Sequence, residues 1–249
     1  MLKLVNPDIQ STIAFAKDNY AGKKTVTGGC LFEHCMAVAA QAELIAAKLY
    51  QDVRADYMSD DTKDSINVVI QSAILHDVLN VSACAFENVA KAATVQIAAT
   101  VADLSRDFRL IETKRDMEFR GRLSQSPVNA QIIAVADVIC TARDLMRWLE
   151  HDGLSVAAKI KSLLAQLDGD LLAVHAANKY YVLRLFTHAA RNLISDVSTA
   201  VKAKKQKAKL DKLLAQNTNG LRERIARGQK EKKEKETTHA KKRSANKNS

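Results

Sequence analysis

The sequence predicts an all-α protein, on three observations. Only 2 Pro and 8 Gly fall among 249 residues, so strong interrupters are scarce while helix-forming alanine is abundant. Apolar residues recur three and four positions apart through most of the first 200 residues, the spacing of one helix face. Hydrophobic residues make up 47% of the chain, enough to fill a sizeable core.

The elements follow in order. Ile9, Ile13, Phe15 and Ala16 mark a helix over residues 8–20, and the Gly- and Thr-rich stretch AGKKTVTGG (21–29) is a loop. Leu31, Cys35, Val38, Ala42, Ile45 and Leu49 form the buried stripe of a long helix running to about Gln51. Residues 52–61 are a polar break. Ile66, Val69, Ile70, Ala73 and Ile74 then predict one helix from Thr62 to Val81, with Asp77 on a related face. An Ala-rich helix is expected over 86–105, and a charged stretch follows over 106–123. Ser126-Pro127 reads as a helix start, serine capping and proline in the first turn, and Gly153 as the stop of that helix after His151. Residues 154–200 read as two helices broken near Asp168-Gly169-Asp170, the second carrying Tyr180, Tyr181, Leu183, Leu185 and Phe186.

Charge divides the chain. Residues 1–200 hold 21 Lys+Arg and 23 Asp+Glu, whereas 201–249 hold 17 and 5. The basic character belongs to a tail, which gives an expected domain of 1–198 and a Lys/Arg-rich appendage over 199–249. Leu210, Leu213 and Leu214 give that tail a weak helical pattern, and from about Asn217 its composition predicts a solvated, largely disordered segment. Its lysines suit weak, salt-sensitive, non-specific contact with nucleic acid, and the absence of aromatic residues from it argues against base stacking. No stretch approaches the roughly 18 apolar residues that span a bilayer, so no membrane partner is expected. The four cysteines (30, 35, 84, 140) form no CxxC pair and sit mostly among apolar neighbours, as reduced thiols of a cytoplasmic protein do.

Against this background, three segments set metal-ligating side chains into apolar helical contexts: His34 in LFEHCMAVAA, His76-Asp77 in AILHDVLN, and Asp137 in IIAVADVICTARDL. Buried imidazoles and carboxylates are costly unless paired or coordinated. Two histidines and two carboxylates are a natural ligand set for a divalent ion of the manganese, iron or zinc kind.

The order His, His-Asp, Asp resembles that of the HD metal-dependent phosphohydrolases. Within that group the chain is similar to the hydrolase domain of RelA/SpoT alarmone enzymes and to stand-alone small alarmone hydrolases. FAKDNYAGKKTVTGGCLFEHCMAVAA, SAILHDVLN and ETKRDMEFRGRLSQSPVNAQIIAVADVICTARDL carry the resemblance, over about residues 8–150. It implies an HD-domain helical bundle with one divalent ion, manganese by preference, on His34, His76, Asp77 and Asp137. It implies removal of the 3′-pyrophosphate of guanosine tetra- or pentaphosphate. Lys23 and Lys24 match a basic pair near the substrate phosphates. Arg106 falls near a family basic residue, Thr141 stands where the family has an Asn near the nucleoside, and Arg143 keeps its place in the closing motif. Asp77 and Asn80 are the expected catalytic residues. Where the family has Glu-Asp after the His-Asp pair and two further residues, this chain has Asn80-Val81. An amide orients a water but takes no proton, so Glu87 in the following loop is the alternative base. Two rival readings stay open: an HD nucleotidase acting on another nucleotide, and a nucleotide-binding protein with weakened catalysis.

Overall fold

The computed structural model describes the backbone of residues 7–53, 60–177 and 180–245, and the side chains of 9–51, 64–176 and 180–214. Ten α-helices are found there: α1 (Pro7–Tyr20), α2 (Leu31–Val53), α3 (Asp60–Leu75), α4 (Val78–Val81), α5 (Phe86–Ala92), α6 (Val95–Leu104), α7 (Glu112–Gln125), α8 (Val128–Asp152), α9 (Ala157–Ala177) and α10 (Tyr181–Ala245). A 3-10 turn over Gly153–Val156 joins α8 to α9. The described residues contain no strand beyond an isolated bridge between Lys24 and Cys30. None of their helices is long and apolar enough to cross a membrane.

The chain divides into two compact units between Val201 and Lys202. In the first, α2 lies between α3 and α8, α1 covers α3, α6 packs on α3 and α8, and α9 is held by α7 and α8. The stripe predicted for α2 is its buried face: Cys35, Val38, Ala42 and Ile45 are fully enclosed and meet Val69, Ala73 and Ile74 of α3 and Ile132, Ile133 and Ala136 of α8 in one core. The glycine at the end of α8 has φ +65, which fits the predicted stop. The second unit, from Lys202, is helical to Ala245. Its backbone belongs to α10. Lys, Arg, Glu, Gln, Leu and Ala dominate it and proline is absent, so intrinsic propensity favours the helix. Leu210, Leu213 and Leu214 are exposed.

Four boundaries differ from the sequence reading, each for a tertiary or capping reason. The helix predicted over 62–81 ends at Leu75. The buried Tyr20 hydroxyl donates to the Ile74 carbonyl (3.2 Å) and His76 Nδ1 to that of Ala73 (2.8 Å), so side chains satisfy carbonyls of the last turn. The 86–105 helix is two, because Thr94 caps α6 by accepting from the Ile97 amide at 3.2 Å. Ser126 does not cap α8; it ends α7, and its hydroxyl donates to the Arg122 carbonyl at 2.9 Å. Nor does the chain break at Asp168-Gly169-Asp170, which lie inside α9. A Cβ on Gly169 would stand 2.4 Å from the Arg120 guanidinium carbon, so this glycine admits a close neighbour rather than a turn. The interval between α9 and α10 includes residues 178–179, which lie outside the described set, as do 54–59 within the predicted polar break. Cys35 and Cys140 are buried, Cys84 is half-buried and Cys30 is exposed. Burial pushes the Cys140 thiol up to about 12.

Candidate metal centre

Three elements bring the predicted ligands together. His34 lies in the first turn of α2, where its backbone N–H donates to the Cys30 carbonyl (3.1 Å). His76 and Asp77 occupy the turn between α3 and α4, not a continuous helix. Asp137 lies in the second half-turn past Ile133 and Ala134 on α8 and is half-buried. One donor atom each from His34, His76 and Asp137 lies within 4.8 Å of the others. Asp77 stands beside this trio, its Oδ2 at 3.8 Å from His76 Nε2. The Ala73 carbonyl engages His76 Nδ1 and leaves Nε2 facing the cluster. Two imidazole nitrogens with carboxylate oxygens suit a mid-row divalent ion, so the residues present fit the implied metal.

The cluster is polarised. His34 Nε2 meets Asp137 Oδ1 at 3.0 Å and His34 Nδ1 meets Asp144 Oδ2 at 3.1 Å. Thr141, one turn beyond Asp137, donates to the same Oδ1 at 3.1 Å. Burial lowers the His34 pKa, but hydrogen bonds to Asp137 and Asp144 outweigh it and hold the value at about 10. Burial raises that of Asp137, and the His34 hydrogen bond with the neighbouring histidine charges outweighs it, leaving about 2.

These shifts set a pH window. His34 lies above its ordinary 6.5, so its contribution to stability is complete below about 6.5 and lost as pH rises through about 10. Asp137 lies below its ordinary 3.8, so its contribution is complete above about 3.8 and lost as pH falls through about 2. In chelator-treated protein, the Tm gap between wild type and Asp137→Asn should therefore be widest between pH 4 and 6.5. A gap that widens steadily from pH 7 to 9 would contradict this pairing. Added Mn²⁺ requires a deprotonated ring and should carry the optimum upward.

Asn80 has both ends of its amide engaged. Its Nδ2 donates to Asp77 Oδ1 at 2.9 Å, and its Oδ1 accepts from the Arg106 backbone amide at 3.0 Å. It therefore steers Asp77 and ties the segment after α6 to the site. The Arg106 side chain is also engaged: it donates to Asp116 (2.7 Å) and Asp170 (2.5 Å) and lies 4.0 Å over the Phe119 ring. Arg120 donates to the other Asp170 oxygen at 3.0 Å. Burial raises the Asp170 pKa from its ordinary value against the pull of Arg106 and Arg120.

A cavity of about 360 Å³ opens over the cluster. Lys24, Asn80, Arg106 and Thr141 line it with the four predicted ligands, and Lys23 and Glu87 do not. Arg143 instead donates to Gln41 at 3.1 Å and lines an adjoining cavity of about 630 Å³ with Arg147, Trp148 and His151. His34, Asp144, Thr25 and Thr27 border both. The positive φ of Gly28 (+88) lets the Thr25–Gly29 turn close at this border. Sequence reasoning missed Asp144, Asp116 and Asp170. Asp144 was findable, since it follows Asp137 by seven residues and so shares its face of the helix. The two acids facing Arg106 carried no such signal.

Residues 31–142 match the family described as HD domain. A solved structure of a metazoan ortholog of SpoT, which hydrolyses ppGpp and plays a role in starvation responses, superimposes with a TM-score of 0.52. The two chains are 16% identical, and the likeness covers 74% of this chain and 94% of that one. No curated protein matches this chain.

Proposed function

We propose, from the match of residues 31–142 to the HD domain family, that the chain is a metal-dependent phosphohydrolase acting on a guanosine 3′-pyrophosphate, with His34, His76, Asp77 and Asp137 as ligands of one divalent ion, manganese by preference. The observation that carries this reading is the convergence of His34, His76 and Asp137 donor atoms within 4.8 Å from α2, the α3–α4 turn and α8. The fold shared with the metazoan SpoT ortholog supports the choice of substrate.

A bound divalent ion would polarise a phosphoryl oxygen and acidify a water. The protein's part is to hold and orient. Asn80 fixes Asp77 through one hydrogen bond, and Thr141 and His34 fix Asp137 from two sides. Lys24 and Arg106 are the cations on the cavity wall, where phosphate oxygens would lie. Arg106 would meet a phosphate only with the donors that Asp116 and Asp170 leave over, so Lys24 is the freer of the two.

Asn80 favours a second reading. Its amide takes no proton, and both of its ends are engaged. A nucleotide-binding protein with weakened catalysis would have this arrangement. Assay of Mn²⁺-loaded protein against guanosine tetraphosphate, ordinary nucleoside phosphates and dinucleotides separates the readings. Pyrophosphate released from the tetraphosphate supports the proposal. Orthophosphate from ordinary nucleotides replaces it with a nucleotidase, and saturable binding without turnover replaces it with the binding protein.

A further inference from the structure

We propose that Asp144 is a positioning residue of the metal centre: it holds the Nδ1 proton of His34 and so presents Nε2 to the ion. The proposal rests on the metal reading above and concerns a residue outside its ligand set.

Asp137, Thr141 and Asp144 follow one another at four and three residues on α8, so the helix carries all three on one face. His34 of α2 lies against that face with its ring between the two carboxylates, Nε2 at 3.0 Å from Asp137 and Nδ1 at 3.1 Å from Asp144. A carboxylate only accepts, so the Nδ1 of this bond must carry the hydrogen. The protonated ring donates to Asp137 from Nε2 as well; when that proton gives way to an ion, the lone pair is on Nε2, the nitrogen turned toward Asp137. A ring with the opposite tautomer would present a hydrogen to the ion. Metal-bound histidines commonly have their second nitrogen held in this way.

Asp144 is suited to this task rather than to contact with ligand. Its Oδ2 is taken by His34 and its Oδ1 by Arg147, which donates at 2.9 Å. The Arg147 side chain is 75% exposed, so that outer bond is a weak surface pair, while the His34 bond faces inward. His76 has its second nitrogen held by a backbone carbonyl, which no side-chain replacement removes. His34 alone of the two depends on a side chain, and this makes the role separable by mutation.

The test measures Mn²⁺ affinity by chelator competition, together with the Tm of chelator-treated protein. Asp144→Ala should weaken Mn²⁺ binding about 10–100-fold, the usual cost of losing such a partner. Asp144→Asn keeps the size and a hydrogen bond between α2 and α8, but its NH₂ can donate to Nδ1 and turn the tautomer over. It should also weaken Mn²⁺ binding, by about tenfold, with the Tm of the stripped protein close to wild type. This variant carries the test if the alanine variant does not fold. If Asp144 only ties the helices together, the Tm falls while folded variants bind Mn²⁺ within about threefold of wild type, well short of the expected loss, and the proposal is overturned. Folded wild-type protein that takes up no Mn²⁺ overturns the metal reading, and with it the role of Asp144. Wild-type uptake with unchanged affinity in both variants overturns the role of Asp144 alone.

Discussion

Asp137→Ala is expected to abolish stoichiometric retention of a divalent ion and to lower phosphohydrolase turnover by about 10³-fold or more, since the electrostatic help of a bound ion is worth several kcal/mol and each 1.36 kcal/mol is tenfold in rate. The change removes more than one ligand atom. His34 Nε2 loses its 3.0 Å partner and Thr141 the oxygen to which it donates. Asp137→Asn separates these effects, because the amide keeps the volume and an oxygen for Thr141 while losing the charge. It should fold, with the lower Tm expected from loss of the His34 ion pair, and still bind metal poorly. Metal analysis after gel filtration and turnover with saturating Mn²⁺ are the measurements. Equal metal content in wild type and both variants, with turnover intact, would remove Asp137 from the site and with it the geometry on which the function is proposed.

The second large effect is on stability. Arg106→Ala should destabilise the protein by about 3 kcal/mol, the low end of the 3–5 kcal/mol that follows from breaking a buried ion pair. The Arg106, Asp116 and Asp170 side chains are 13%, 17% and 8% exposed, so solvent does little to screen the acids left behind. The low end is chosen because Arg120 still reaches Asp170. The packing of the guanidinium over Phe119 is lost as well. Arg106→Ala combined with Asp116→Asn and Asp170→Asn should recover part of the loss, because no uncompensated charge remains. Urea unfolding at neutral pH, with the m value compared between variants, reads the difference. A loss below about 1 kcal/mol, the range of exposed pairs, would mean that this network is effectively solvated.

These two residues also show how far the sequence could be read. Asp137 was legible because an acid stood among Ile132, Ile133, Ala134, Val135 and Val138, where burial demands a partner. The same reasoning points to His34 and His76, and helical periodicity to the buried face of α2. What could not be read was set by distant groups. The end of α3 depends on Tyr20, 54 residues before the carbonyl it caps. The glycine inside α9 resembles a break until Arg120, from α7, is seen lying against it. Asn80 suggested a holder of water. That its amide is engaged between Asp77 and the Arg106 backbone depends on a contact across 26 residues. Arg106 suggested a phosphate ligand, and its two acidic partners lie 10 and 64 residues away. Local pattern therefore identified which residues needed partners, and long-range packing decided which partners they received.

The His34–Asp137 contact joins residues 103 apart in sequence. During synthesis α1, α2 and α3 leave the ribosome before α8, bringing His34 and His76 out while the helix that covers them is still unmade. At translation rates of about 5–20 residues per second, Asp137 follows His76 by about 3–12 s. Through that interval the nascent chain holds the open half of the cluster, with the apolar face of α2 that α8 will bury still uncovered. Closure of the centre and burial of this face of α2 are thus one event, timed by the arrival of α8. A pause or truncation in the segment between α6 and α8 would release a chain with both faults at once, an unfinished site and an exposed hydrophobic surface.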